Sequence, residues 1–128
     1  MLVLDFDGMR AANAAFENDY ARGGDVLIVA VADALRSFAG PGELPARMHT
    51  RGDEFCLLLP GSDEAATAAR CERLQQMLTE LEVPETHRHV YRGASVGAAA
   101  RTPGESIAET LARASRAMHE RKTAIRSR

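Results

Sequence analysis

The chain has 128 residues, with 16 Lys+Arg against 18 Asp+Glu and 45% hydrophobic content, which predicts one domain able to bury a core without disulfides or a structural metal. Cys56 and Cys71 lack a CxxC spacing, which excludes a disulfide framework, and a net charge of -2 excludes wholesale coating of nucleic acid. No apolar run approaches membrane-spanning length and Met1-Leu2-Val3-Leu4 meets Asp5 too early for a signal peptide, so a soluble cytoplasmic protein with no membrane or nucleic-acid partner is expected.

Leu2 to Asp7 is a short apolar run closing on two acids, which predicts a buried strand ending at Gly8. A helix over 9–22, with Ala12, Ala15 and Phe16 near one face, is expected next, broken at Gly23-Gly24. Asp25 to Phe38 has strand propensity at Val26–Val31 but runs too long for a strand, so a largely buried helix is predicted. After the Gly40-Pro41-Gly42 loop, residues 47–50 and 55–59 read as the arms of a hairpin with Arg51-Gly52-Asp53-Glu54 at its tip. Ser62 is the expected cap of a helix to about Leu81, facing inward with Ala66, Ala69, Leu74, Met77, Leu78 and Leu81. Residues 84–92 read as a polar connection, and 93–100 as a strand of small residues packed closely against a neighbour. Thr102-Pro103-Gly104-Glu105 resembles a capping box opening a last helix with Ile107, Leu111, Ala114 and Met118 inward. This order, β-α-α-β-β-α-β-α, predicts an α+β fold of the ferredoxin-like type, a mostly antiparallel sheet flanked by helices.

The charges are not evenly spread. Eight acids face two bases between Asp53 and Glu85, whereas six bases face one acid between Arg113 and Arg128, and Lys122 is the only lysine beside fifteen arginines. Asp5 and Asp7 at a strand end, and Asp53-Glu54 in a turn, would converge if the two strands are sheet neighbours. Such hard oxygen ligands suit Mg²⁺ shared with substrate phosphates and phosphoryl or nucleotidyl transfer. They are equally the residue types of a solvated strand end. The N–H groups of Gly8, Met9 and Arg10 open a helix and could cradle phosphate, with Gly8 permitting close approach.

His49-Thr50-Arg51-Gly52-Asp53-Glu54-Phe55-Cys56-Leu57-Leu58-Leu59-Pro60 resembles the signature hairpin of GGDEF domains, the diguanylate cyclases that condense two GTP into cyclic di-GMP on a palm-type fold. Asp5-Phe6-Asp7 is similar to the family's DxD strand, Gly24-Asp25-Val26-Leu27 to its GD-x-L helix start, Ser95-Val96-Gly97 to its SxG strand and Ala114-Ser115-Arg116-Ala117-Met118 to its final helix. The resemblance covers nearly all of residues 1–128, as a single domain. It implies that Asp5, the Phe6 carbonyl, Asp53 and Glu54 hold Mg²⁺ or Mn²⁺, and that Glu54 with Asp53 is catalytic. It further implies that Asn13 and Asp25 read guanine, that Gly52 lies beside the nucleotide, and that Lys122 and Arg126 grip phosphate. Each chain would offer one GTP site, so a second copy is the implied partner in catalysis.

The chain also departs from the family. Arg51 stands where the first signature glycine belongs, His49 replaces an Arg, Arg10 a Lys and Ala14 an Asp, and residues 17–23 replace a GH-containing turn. No RxxD precedes the signature, where Gly42-Glu43-Leu44-Pro45 stands, and the resemblance begins at the first strand, without the family's DxLTxLxNR helix or a sensory domain. Two readings follow: an active diguanylate cyclase, or a degenerate module that binds GTP or a protein partner without turnover.

Overall fold

A computed structural model of the chain describes residues 1–48 and 52–127. Its elements are β1 (Leu2–Phe6), α1 (Met9–Ala15), α2 (Gly24–Phe38), β2 (Leu44–Arg47), β3 (Glu54–Leu58), α3 (Glu64–Thr79), a 3-10 turn at Glu85–His87, β4 (Ala94–Ala98) and α4 (Ile107–Arg126). The strands form one sheet in the order β2-β3-β1-β4, and every neighbouring pair is antiparallel. This is the expected α+β, ferredoxin-like arrangement.

The two-residue period of β1 divides the molecule. Leu2, Leu4 and Phe6 join Phe55, Leu57 and Val96 in the main core, under Leu27, Val31 and Leu35 of α2 and Leu74 and Leu78 of α3. Val3 faces the other way, into a smaller cluster with Ala99 and with Ala114 and Met118 of α4. Asp5 follows Val3 in that period and lies on the α4 side. The small residues of β4 let α4 approach: a Cβ on Gly97 would collide with the Met118 amide and the Ala114 carbonyl. Among the described residues no helix is long and apolar enough to cross a membrane.

Several boundaries differ from the sequence expectation, each for a local reason. The first helix stops at Ala15 rather than residue 22, because Glu17 and Asn18 take left-handed backbone conformations (φ 58 and 62) and turn the chain away. Ala15 is consequently exposed and Phe16 becomes the helix's C-cap. The first hairpin arm, expected over 47–50, begins earlier and among the described residues spans Leu44–Arg47, since Leu44 pairs with Leu58 and Pro45 is tolerated on the sheet's edge. Residues His49, Thr50 and Arg51 lie outside the described residues. Asp63, not Ser62, caps α3 by accepting from the Ala66 N–H, while the Ser62 hydroxyl pairs with Thr67. That helix ends at Thr79 and buries Thr67, Cys71, Leu74 and Leu78, leaving Ala66 and Ala69 exposed.

The last helix opens at Ser106, whose capping box with Glu109 replaces the expected Thr102–Glu105 box. Gly104 has φ +80, incompatible with a first helical turn, and Glu105 instead takes Arg113 in a two-oxygen ion pair. Ile107 therefore faces solvent, 62% exposed. The connection over 84–92 is less polar in space than in sequence, for His87 and Val90 are both buried.

Candidate active site

Asp5 is the centre of the acidic edge. It pairs across the strands with Glu54 on one side and Ser95 on the other, so the three side chains share one row on the α4 face. The next link holds the signature turn against β1, as the Phe6 N–H donates to the Asp53 carbonyl at 3.0 Å. Sequence proximity of Asp53 and Glu54 thus becomes spatial proximity to Asp5 through ordinary sheet pairing.

The cations arrive by helical spacing. Ala114, Met118, Lys122 and Arg126 recur every four residues along α4, so one stripe runs from the apolar cluster to the acids. Lys122 Nζ donates to Asp5 Oδ2 at 2.8 Å and lies 3.5 Å from Asp7 Oδ1, while Arg126 donates to Asp7 at 3.0 Å. Asp7 is therefore a shared partner of Lys122 and Arg126. Its backbone continues the sheet, with Asp7 N–H donating to Gly93 and Arg92 N–H donating to Asp7.

Asp5 is 4% exposed, and among the described residues its Oδ1 has no hydrogen-bond partner. Burial pushes the carboxyl up to about 6 from its ordinary 3.8; the Lys122 hydrogen bond pulls it down, and Asp53 and Glu54 push it up again. For Lys122, burial pulls the ammonium down, but the hydrogen bond and charge of Asp5, with Asp7, outweigh it and hold the group above its ordinary range. A buried acceptor without a partner, in a row of carboxylates, has the donor chemistry of a hard-cation site. Among the described residues no three His, Cys, Asp or Glu side chains are gathered so as to hold a metal ion by themselves; Mg²⁺ binds through one or two carboxylates and completes its shell with water and phosphate.

A second group of predicted residues assembles on the α1–α2 side. Asn13 Oδ1 accepts from the Gly24 N–H at 2.8 Å, which seats Asn13 at the head of α2 beside Asp25. Gly24 lets Met9 and Asn13 pack closely there, since a Cβ would meet the Met9 sulfur and lie 2.8 Å from Asn13 Oδ1. Met9 reaches on to Gly52, whose missing Cβ would be 2.9 Å from Met9 Cε and 3.1 Å from Arg47 Nη2. Gly52 thereby admits a cation that the sequence reading did not single out, Arg47, whose interest is visible only when β2 pairs with β3. Arg10 is exposed on α1.

Gly8 also has a packing reason to be glycine. It caps α1 at φ 122, and a Cβ would collide with the Val90 carbonyl, so the glycine is needed for the approach of residues 90–91. The Gly8 carbonyl receives the Ala12 N–H at 2.8 Å, and the first N–H groups of a helix have no acceptor inside it. The concave surfaces elsewhere, such as the hollow between Leu44, Leu58 and Ile107, lie away from Asp5 and its row.

The chain matches the family described as "Diguanylate cyclase, GGDEF domain" over residues 1–128. It belongs to the GGDEF family. A search of curated proteins gave no match. Among solved structures it is similar to a sensory box/GGDEF family protein from Caulobacter crescentus CB15, with 28% identity and TM-score 0.74 over 96% of this chain and 77% of that one. It is also similar to the GGDEF domain of DgcB from Caulobacter crescentus in complex with c-di-GMP, with 26% identity and TM-score 0.76 over 96% of this chain and 71% of that one. A third likeness, 28% identical with TM-score 0.74, is diguanylate cyclase SiaD from Pseudomonas aeruginosa in complex with its activator SiaC; the match covers 96% of this chain and 45% of SiaD.

Proposed function

We propose that this GGDEF domain is a diguanylate cyclase, a single domain that binds one GTP per chain and condenses two GTP into cyclic di-GMP when two copies face each other. The observation that carries the reading is the buried Asp5 Oδ1, which meets no hydrogen-bond partner among the described residues and stands in one row with Glu54, with Lys122 at the other oxygen. Asn13 and Asp25 would take the guanine edge, and Lys122, Arg126 and the N–H groups of Gly8, Met9 and Arg10 the phosphates. Gly52 would lie beside the nucleotide, with Met9 and Arg47 close to it.

Asp5, the Phe6 carbonyl, Asp53 and Glu54 would hold Mg²⁺ or Mn²⁺, which supplies charge neutralisation at the phosphates and a lowered pKa at the attacking 3′-hydroxyl. Glu54 accepts the proton as that oxygen bonds to the α-phosphorus of the facing GTP and pyrophosphate leaves. Lys122 and Arg126 meet the charge that builds on the phosphate oxygens. With its carboxyl at about 6, Asp5 is mostly ionised above neutral pH and competent as an acceptor for cations.

A second reading has its own support. Arg51 replaces the first signature glycine, and Lys122 already neutralises Asp5, which is what a module that binds without turnover would retain. Purified protein with Mg²⁺ and GTP, analysed by mass for cyclic di-GMP, separates the two. Product that disappears in Glu54→Ala supports the cyclase; GTP binding with no product at high protein concentration supports the binding module. Product appearing only in Arg51→Gly would assign the loss to that one side chain.

A further inference from the structure

The segment between α1 and α2 is conformationally expensive. Glu17 and Asn18 are consecutive non-glycine residues with positive φ, a pair that persists only where surrounding contacts over-determine it. Local hydrogen bonds supply part of the restraint: Asn18 N–H donates to the Asn13 carbonyl, Gly23 N–H to Asp19 and Asp25 N–H to Tyr20, all within 2.9 Å. These bonds lie within the segment and its flanks, and none of them ties it to the rest of the domain.

His87 does. It comes from the 3-10 turn between α3 and β4, is 3% exposed, and touches both ends of the segment. Its ring stacks on Phe16 at the start, with centroids 4.6 Å apart and planes 12° from parallel. Its Nε2 is 2.8 Å from the Arg22 carbonyl at the end. A carbonyl can only accept, so Nε2 carries the hydrogen; Nδ1 of the neutral ring then accepts from the Thr86 hydroxyl at 2.8 Å. One buried ring therefore fixes the separation of Phe16 and Arg22. Asn13 lies three residues before this clamp and Asp25 three residues after it.

We propose that His87 is a positioning residue for base recognition: by holding the 16–22 segment closed, it sets the Asn13 and Asp25 side chains at the spacing that distinguishes guanine from purines lacking its 2-amino group. The inference rests on the assignment of Asn13 and Asp25 to the base. His87 touches no substrate in this scheme. Its contribution is to orient the two polar groups before the nucleotide arrives, so that their ordering is not charged against binding. A carboxylate and an amide displaced by a fraction of a hydrogen bond still contact a purine, but they lose the geometry that makes absence of one N–H group costly.

The test compares GDP with inosine diphosphate, which differ by the 2-amino group and lack a pyrophosphate leaving group. Titration calorimetry on the full chain with Mg²⁺ gives the ratio of their affinities. His87→Phe keeps a buried ring against Phe16 and removes the donor to Arg22; the GDP preference is expected to fall roughly three- to tenfold, the scale of one mis-set hydrogen bond. His87→Gln, which retains an N–H donor of similar reach, is expected to restore most of the preference. A residue that only fills the core would lower the melting temperature of both variants and leave the affinity ratio at the wild-type value; that outcome overturns the inference. If His87→Phe does not fold, Phe16→Leu removes the stack from the loop side, and an unchanged ratio in that variant overturns it equally. Failure of the wild-type chain to bind either diphosphate would overturn the base assignment itself and this inference with it, whereas a normal wild-type ratio preserved in the variants would overturn the role of His87 alone.

Discussion

Lys122 of the last helix donates to Asp5 of the first strand at 2.8 Å, and the pair is nearly out of solvent. Replacing Lys122 with Met removes the cation and leaves Asp5 with two unpaired buried oxygens. The expected cost is about 2 kcal/mol, less than for a fully buried pair because Lys122 keeps some contact with water. Urea unfolding measures it, and the same variant should bind GTP more weakly than wild type. A Lys122→Met protein as stable as wild type would show that the pair contributes nothing net to the fold.

The raised Asp5 carboxyl has a signed consequence for pH. In the unfolded chain Asp5 ionises near 3.8, whereas in the fold it holds its proton to about 6. Between those values the native state binds the extra proton, so the contribution of Asp5 to stability is fully present below 3.8 and is lost as pH rises through about 6. Other groups titrate in the same range, so the measurement is a difference. The melting temperature of wild type minus that of Asp5→Asn should fall between pH 4 and pH 6 and then level off. A difference that rises over this range would reverse the assignment.

Gly97 is a packing residue. An added Cβ meets the backbone of Met118 and Ala114 rather than the tip of a flexible side chain, so α4 must move off β4 to accommodate it. Gly97→Ala is expected to cost about 3 kcal/mol. Because α4 carries Lys122 and Arg126, the variant should also lose nucleotide affinity more than its stability alone explains. Chemical denaturation and GTP titration of the same preparation test both parts.

Gln75 covers an exposed sheet edge. Its amide donates to the Ala94 carbonyl and accepts from the Val96 N–H, as a neighbouring strand's peptide group would, and Arg121 holds the Gln75 oxygen from α4. Gln75→Ala leaves both backbone groups of β4 without that partner, at an expected cost of about 1–2 kcal/mol. The freed edge should also promote association between chains, visible by light scattering at high concentration. A variant that scatters no more light than wild type and is equally stable would show that water replaces the amide without loss.

The parts of the fold that were legible in sequence are those written in one local pattern. The apolar run ending in Asp5 and Asp7 announced β1, and the unusual smallness of residues 93–100 announced close packing against a neighbour, which is α4 at Gly97. The lone lysine stood out in composition, but its bond to Asp5 is seen only in the fold, where α4 carries it at the four-residue spacing of Ala114 and Met118. What sequence did not yield depends on contacts between distant segments. The early end of α1 is dictated by a left-handed pair that no propensity favours, and the clamp that holds it comes from His87, 65 residues beyond Arg22 in the chain. Likewise, Thr102–Glu105 has the letters of a capping box, but Glu105 is claimed by Arg113, and the cap passes to Ser106.

The bond between Asp5 and Lys122 spans 117 positions of sequence. Because α4 brings its cations to β1 only after every other element has been made, a ribosome must release almost the entire domain before those acids are neutralised. A partly synthesised chain carries Asp5 and Asp7 without the Lys122 and Arg126 partners that α4 later brings to them. Contacts of such long sequence separation also slow folding, since the loop they close must be ordered before they reward it. The Asp5–Lys122 bond therefore closes one of the longest loops in the domain.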